Sequence, residues 1–156
     1  AVGQELARVL GMNYLDTDEL IEKTEKLSIN DIFARHGETY FRELETKVIK
    51  TLQEHDNFVI STGGGIVLRP ENVKMLKAIG PLVLLWADPE TVYDRMKKET
   101  QRPLLKVEDP KAEIKNILDK RTPVYDRAAD YKIDTSRMTV EEAVNGVVKW
   151  LKLKSI

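Results

Sequence analysis

The sequence has no cysteine and few aromatic residues, and its charges of opposite sign nearly cancel. The 156 residues carry 25 Lys and Arg against 26 Asp and Glu, so the formal net charge is −1. Without cysteine there is neither a disulfide framework nor a thiolate metal site. A nearly neutral chain produces no net field that attracts nucleic acid, and 6% aromatic residues are too few for a base-stacking surface. We therefore expect no nucleic-acid partner.

Long apolar runs are also missing. No stretch approaches the ~20 apolar residues that a membrane-spanning helix needs, so we expect no membrane partner. The length fits one domain with a core of its own. The lack of cysteine is compatible with the cytoplasm, where we place the protein.

The chain opens inside a helical pattern. Apolar residues between Val2 and Leu10 share one helical face, and Gly11 supplies a C-terminal stop. No capping residue precedes this helix, and the first residue is Ala1 rather than methionine. We therefore expect further sequence upstream.

Strand and helix patterns alternate along the chain. Strands are predicted at residues 12–15, 58–61, 82–86 and 131–134, and helices at 19–22, 28–36, 38–55, 70–79, 89–99, 110–127 and 139–153. This alternation predicts an α/β fold with a parallel sheet and helices on both faces. The continuous apolar run 82–86 is typical of a strand buried on both faces, whereas the half-polar segment 131–134 favours an edge strand.

Two acidic residues, Asp16 and Asp18, follow the first predicted strand. Ligands of α/β folds bind at the carboxyl ends of strands, which places these acids for metal or hydroxyl chemistry. The alternative is that Asp18 is only the N-cap of the helix that starts at Glu19. These residues alone leave both interpretations open.

Three glycines, Gly63, Gly64 and Gly65, directly follow the second predicted strand. A glycine run lets the backbone approach a ligand closely and offers N–H groups to an anion. The alternative is a tight turn into the next helix.

Single arginines are scattered through the chain without forming a basic stripe. Arginine suits bidentate binding of carboxylate and phosphate, although a solvated surface charge is the default for any one of them. Arg42 lies on a long helix, Arg121 on another, and Arg102 in the polar segment 101–109. That segment is either a lid or a plain helix connector.

Five motifs in order make the sequence resemble shikimate kinases. They are Asp16-Thr17-Asp18, the segment 32–45 with Phe41-Arg42-Glu43-Leu44-Glu45, Ser61-Thr62-Gly63-Gly64-Gly65, Arg102-Pro103-Leu104-Leu105 and Lys120-Arg121-x-Pro123-x-Tyr125. Their order and spacing fit from Ala1 to about Ser136. The resemblance implies a three-layer α/β/α P-loop kinase fold with a five-stranded parallel sheet. It also implies transfer of the γ-phosphate of ATP to the 3-hydroxyl of shikimate, in aromatic amino-acid biosynthesis.

The resemblance assigns roles at the substrate. Asp18 would hold the shikimate hydroxyls and accept the proton of the attacking one, and Asp16 would reach Mg²⁺ through water. Arg42 and Arg121 would clamp the shikimate carboxylate. Residues 63–65 would bind the substrate through backbone N–H groups, with Gly64 most directly involved.

The resemblance also assigns residues to ATP. Arg102 would neutralise phosphate charge from a lid over about residues 100–112, and Arg95 would lie against the adenine. Some members place another arginine near the adenine after the last strand. Here Met138 holds the matching place and Arg137 precedes it, so Arg137 is the candidate. ATP and Mg²⁺ are thus the expected cofactors of a monomeric, single-domain enzyme spanning residues 1–156.

The sequence departs from the family in lacking its G-x-x-x-x-G-K-[ST] loop and the first, central strand before it. That loop supplies backbone N–H groups and a lysine to the phosphates, and a hydroxyl to Mg²⁺. We expect both in roughly 15–20 upstream residues, because a sheet without its central strand leaves neighbouring strands unpaired.

Two alternatives accompany this expectation. A chain that truly lacks the loop would be a non-catalytic shikimate-binding or regulatory domain. Another small-metabolite kinase of the same fold, such as a gluconate kinase, is the second alternative. The pair Arg42 and Arg121 argues against the latter.

Overall fold

Helices and strands alternate throughout the part of the protein that is described, residues 1–98 and 108–154 of a computed structural model. The elements are α1 (Val2–Leu10), β1 (Asn13–Asp16), α2 (Thr17–Glu25), α3 (Ile29–Leu52), β2 (Phe58–Ser61), a 3₁₀ turn (Ile66–Leu68), α4 (Pro70–Ile79), β3 (Val83–Trp86), α5 (Pro89–Lys97), α6 (Pro110–Ala128), β4 (Tyr131–Asp134) and α7 (Val140–Lys154). The predicted α/β class is confirmed.

The strands form two parallel pairs. β1 pairs with β2 so that Asp16 stands opposite Ser61, and β3 pairs with β4 so that Trp86 stands opposite Asp134. Because paired strands run in the same direction, the chain leaves β1 and β2 at the same edge. The acids after β1 and the glycines after β2 are thereby brought side by side.

An apolar groove separates the two pairs of strands. Its volume is about 590 Å³, and its lining includes Leu6 of α1, Ile60 of β2, Leu84 of β3 and Leu151 of α7. Residues 1–98 and 108–154 contain four strands, so the five-strand count stays a prediction.

Two clusters of buried side chains hold the long helix α3 in place. One joins α2 to α3 and the other joins α3 to the 3₁₀ turn and α4; their buried members are Ile21, Ile32, Phe41, Val48 and Leu52 in the first, and Ile49, Ile66 and Leu76 in the second. Apolar burial is non-directional, so these clusters fix which face of α3 is buried. Arg42 is thereby directed towards the edge of the sheet where the glycines lie.

Gly37 interrupts α3 with φ 85° and ψ 175°, and two helical segments meet there. The predicted break between residues 36 and 38 is confirmed. Ser28 begins the first segment, and its Oγ accepts a hydrogen bond of 3.1 Å from Asp31 N. The second segment ends at Leu52, three residues before its predicted end at His55.

The start of α2 differs from the prediction. The helix begins at Thr17, and its N-cap is Asp16, whose Oδ1 accepts from Asp18 N at 2.8 Å and from Glu19 N at 3.2 Å. The interpretation of Asp18 as the N-cap is therefore wrong. Asp16 retains extended backbone angles, so the same residue ends β1 and caps α2.

The longest helix of the described residues, α3, has 24 residues. Its apolar side chains are interspersed with charged ones, as expected of a helix packed on one side only. Among residues 1–98 and 108–154, no helix has the length and apolar character required to cross a membrane.

We predict that Gly37→Ala destabilises the fold, whereas Gly80→Ala does not. A β-carbon would meet nothing within 4 Å at either position, but Gly80 has φ 177°, an extended angle that any residue adopts. The conformation of Gly37 is open almost only to glycine, so alanine should lower the free energy of unfolding by about 1–3 kcal/mol. Urea denaturation of both variants measures this difference. Equal unfolding midpoints would show that the break at Gly37 carries no strain.

Candidate active site

The shared edge of β1 and β2 brings Asp18 next to the glycine run. A β-carbon built on Gly63 would lie 3.1 Å from Asp18 Oδ1. Asp18 is half-buried in the first turn of α2. Asp18, which follows the first strand, and the glycine run, which follows the second, therefore meet at one place.

Two arginines from different helices lie against the other glycines. A β-carbon on Gly65 would overlap the guanidinium of Arg42, and one on Gly64 would lie 3.5 Å from Arg121 Nη1. α3 can therefore bring Arg42 onto the loop only because residue 65 lacks a side chain, whereas Arg121 of α6 lies at ordinary contact distance from residue 64. The predicted group of Asp18, Arg42, Arg121 and residues 63–65 is assembled in one place.

The Arg42 side chain is held from three sides. Its Nη1 donates to Glu45 Oε1 at 2.7 Å, and its Nη2 lies 3.3 Å from Glu38 Oε1. Its Cζ lies 5.5 Å from the centre of the Phe41 ring. Only 13% of the side chain is exposed, so the guanidinium is oriented before any ligand arrives.

Glu45 is a site residue to which sequence reasoning gave no role. It is fully buried beneath Arg42, and its Oε2 has no hydrogen-bond partner among the described residues. Burial raises the pKa of Glu45; Arg42 and Arg121 oppose that rise, and the charge of Asp18 adds to it. The spacing of three residues from Arg42 signals an ion pair on a helix, but nothing in the sequence signals its burial.

Tyr125 is a second residue that received no role. A β-carbon on Gly64 would lie 2.8 Å from its hydroxyl oxygen. Tyr125 stands four residues after Arg121 on α6, so the two side chains share one face of the helix. Its place in the fifth motif was the available signal.

Asp16 combines a structural task with its predicted metal role. Both backbone N–H groups that it caps are bound by Oδ1, so Oδ2 remains the candidate ligand atom. No cluster of three or more potential metal-binding side chains occurs in residues 1–98 and 108–154. A single carboxylate nevertheless suits Mg²⁺, which keeps several waters and binds one or two carboxylates together with substrate phosphates.

The residues predicted at the adenine lie at the end of the other strand pair. Arg95 on α5 donates to Thr135 Oγ1 at 3.1 Å and to Thr135 O at 2.7 Å. Arg137 is exposed in the following turn. Hydrogen bonds from Thr91 lower the pKa of Asp88 at the start of α5, and the charge of Arg137 adds to this effect. Arg95 and Arg137 therefore belong to the β3–β4 edge, apart from the glycine run.

The predicted lid falls largely outside the described residues. Arg102 is among those not described. Residues 110–112 of the proposed lid form the first turn of α6, where Asp109 Oδ1 accepts from Ala112 N at 3.2 Å. The lid stays a prediction, and its last three residues, 110–112, belong to α6.

The arrangement around the glycine run suits a small organic anion. Two guanidinium groups and the backbone N–H groups of the glycine run can bind a planar carboxylate. Asp18 beside them can accept hydrogen bonds from hydroxyl groups and remove a proton from one of them. The site therefore fits a hydroxylated carboxylic acid.

Comparisons with known proteins agree with this chemistry. The sequence profile of the family described as shikimate kinase matches residues 1–152. A shikimate kinase of Caldanaerobacter subterraneus subsp. tengcongensis is 44% identical over 154 residues, covering 98% of this chain and 90% of that protein. One from Thermodesulfovibrio yellowstonii is 43% identical, covering 96% of this chain and 86% of that protein.

Solved structures give the same result. Shikimate kinase from Acinetobacter baumannii, in complex with shikimate, superimposes with a TM-score of 0.94 at 32% identity, covering 99% of this chain and 87% of that one. The Aquifex aeolicus enzyme gives a TM-score of 0.85 at 37% identity, covering 99% and 90%. With sequence, fold and site geometry in agreement, the chain belongs to the shikimate kinase family.

Proposed function

We propose that the protein binds shikimate at the glycine run and transfers the γ-phosphate of ATP to its 3-hydroxyl group. The observation that carries this proposal is the convergence of Arg42 and Arg121 on residues 63–65, beside Asp18. The reaction is that of an ATP-dependent kinase in aromatic amino-acid biosynthesis.

Arg42 and Arg121 hold the shikimate carboxylate in this proposal. Each guanidinium offers paired N–H donors that match a carboxylate. Glu45 and Glu38 keep Arg42 in place, so little side-chain freedom is lost when the substrate binds. The backbone N–H groups of residues 63–65 complete the site.

Asp18 acts on the hydroxyl end of the substrate. Its carboxylate takes the proton of the 3-hydroxyl while that oxygen forms a bond to the γ-phosphorus. The bond between the γ-phosphorus and the β–γ bridging oxygen breaks, and ADP leaves. In phosphoryl transfer most catalysis comes from positioning and charge stabilisation. The fixed pair of Arg42 and Arg121 therefore matters as much as the base.

The remaining proposed roles concern ATP. Mg²⁺, when bound, neutralises charge on the β- and γ-phosphates, and Asp16 would hold it through water. Arg95 would lie against the adenine, where Thr135 already orients its guanidinium, with Arg137 beside it. Arg102 would approach the phosphates.

We also propose a single-domain, cytoplasmic monomer. Asp18, Arg42, Arg121 and residues 63–65 meet within a single chain, which is compatible with a monomer. The absence of cysteine is in keeping with a reducing compartment.

We predict that Arg121→Ala weakens shikimate binding selectively. Loss of a charge-assisted contact to an anion costs about 1.5–3 kcal/mol, so KM for shikimate should rise roughly ten- to a hundredfold while KM for ATP stays nearly unchanged. Shikimate-dependent ADP release by the full-length protein measures both constants. Arg127→Ala, an exposed arginine near the end of the same helix, is the control. Equal weakening of both substrates would remove Arg121 from the carboxylate.

Asp16 and Asp18 should respond differently to replacement by asparagine. Asp18→Asn removes the proposed base and should cut turnover by about 10²–10⁴, with ATP affinity little changed. Asp16→Asn keeps an effective N-cap on α2, so it should leave folding intact and shift the Mg²⁺ dependence. Turnover against Mg²⁺ concentration for both variants tests this assignment. Near wild-type turnover of Asp18→Asn would show that Asp18 is not the base.

Glu45→Gln should change how stability depends on pH. The folded-state pKa of Glu45 lies above its ordinary value of 4.5, so its contribution to stability is lost as pH rises from that value through the folded-state pKa. Glutamine does not ionise, and the free energy of unfolding of the variant should therefore rise relative to wild type as the pH increases above 4.5.

Urea denaturation at several pH values measures this trend. Glu38→Gln is the matched control, because Glu38 contacts the same arginine but is exposed. A Glu45→Gln profile parallel to wild type would show that Glu45 titrates normally in the folded protein.

A further inference from the structure

A buried chain of polar groups connects the helix that carries Arg42 to the turn that follows the glycine run. Asn72, in the first turn of α4, is fully buried, and Thr46 on α3 is 6% exposed. Asn72 Nδ2 donates to Ile66 O at 2.9 Å, and Asn72 Oδ1 accepts from Thr46 Oγ1 at 2.9 Å. One side chain therefore bridges two parts of the proposed substrate site.

The hydrogen-bonding requirements fix the direction of this chain. The carbonyl oxygen of Ile66 only accepts, so the amide nitrogen of Asn72 must face it, and its amide oxygen faces Thr46. The Thr46 hydroxyl, which has a single proton, faces two acceptors, Asn72 Oδ1 at 2.9 Å and Arg42 O at 3.2 Å. Exchanging oxygen and nitrogen of Asn72 would break its bond to Ile66, so the bridge has one stable orientation.

Both ends of the bridge adjoin the substrate site. Ile66 directly follows Gly65, and the turn is closed by Leu68 N donating to Gly65 O at 3.1 Å. Thr46 lies one helical turn after Arg42, and its Oγ1 is 3.2 Å from Arg42 O. Holding Thr46 and Ile66 to the same amide therefore fixes the backbone of Arg42 relative to the glycine run.

An ion pair at the surface supports the same connection. Arg69, the residue before α4, donates to Glu43 Oε1 of α3 at 3.0 Å, and its Nη1 lies 3.4 Å from Thr46 Oγ1. α3 and the start of α4 are thus joined both in the protein interior and at its surface. Because Glu43 is 64% exposed, the buried pair carries more of the constraint than the ion pair.

Apolar side chains could fill the same space without any polar group to satisfy. Burying an amide and a hydroxyl is costly unless both are hydrogen-bonded. Apolar contacts are non-directional, whereas hydrogen bonds hold donor and acceptor within a narrow range of distance and angle. The polar pair therefore defines the spacing between α3 and the turn more sharply than an apolar pair of equal volume.

We infer that Asn72 and Thr46 are positioning residues, which set the spacing between the Arg42 guanidinium and the backbone N–H groups of residues 63–65. This inference rests on the proposed function, because that spacing matters for a carboxylate held by both groups. Neither residue touches the substrate. Their loss should therefore affect shikimate binding through Arg42 and leave ATP binding unchanged.

The test compares Thr46→Val with Thr46→Ser in the full-length protein. Valine keeps the shape of threonine but removes the hydroxyl, whereas serine keeps the hydroxyl. Thr46→Val should raise KM for shikimate about three- to tenfold, the effect of one lost hydrogen bond, with KM for ATP within about twofold of wild type. Thr46→Ser should keep KM for shikimate at the wild-type value.

Asn72→Leu provides a stronger version of the same change, because it removes both hydrogen bonds at once. Where this variant folds, its KM for shikimate should exceed that of Thr46→Val. Where it does not fold, Thr46→Val still decides the outcome. Ile133→Val in β4 is the stability control: it removes one methylene from a buried site in the other strand pair and should lower stability without changing KM.

Each result supports or overturns the inference. If Thr46→Val lowers the melting temperature as Ile133→Val does and leaves KM for shikimate unchanged, the bridge is only part of the core. If Thr46→Ser raises KM as much as valine does, the hydroxyl does not position the site. If the wild-type protein releases no ADP with shikimate, the proposed function itself fails. If the wild-type protein turns over normally and the variants have an unaltered KM for shikimate, the positioning role is rejected and the proposed function stands.

Discussion

The parallel pairing of β1 with β2 is the constraint on which the site depends. The register that sets Asp16 opposite Ser61 makes the chain emerge twice at the same edge, once as an acidic helix start and once as a glycine run. α3 and α6 then add cations from outside the sheet. A shift of one residue in this pairing would turn every side chain of the strand to its other face and would separate Asp18 from Gly63.

The close approach of Arg42 to Gly65 has an electrostatic cost, because it comes with a buried carboxylate, Glu45. Arg42 rests on Gly65 and is held by Glu45, an acid whose pKa burial raises. A buried ion pair contributes little net stability because desolvation opposes the attraction. The main effect of the pair of Arg42 and Glu45 is to orient the guanidinium. Binding sites that are preorganised in this way are commonly less stable than they could be.

Periodicity and turn residues predicted much of the fold, since these depend on local patterns, whereas the pairing of Arg42 with Arg121 was implied by the resemblance to shikimate kinases. The break at Gly37, the alternation of elements, and the meeting of Asp18 with residues 63–65 all follow from spacing along the chain. The capping by Asp16 was missed because one residue ends a strand and starts a helix. Glu45 and Asn72 could not be identified, because a glutamate and an asparagine on amphipathic helices resemble surface residues until tertiary packing buries them.

The break at Gly37 also changes the field around the clamp. A second helical segment begins directly after it, and a helix start carries about half a positive charge on its free N–H groups. Glu38 lies in the first turn of this segment and also contacts the guanidinium of Arg42, so one carboxylate faces both a helix start and a side-chain cation. The backbone charge next to Glu38 is independent of side chains and persists when Arg42 is replaced.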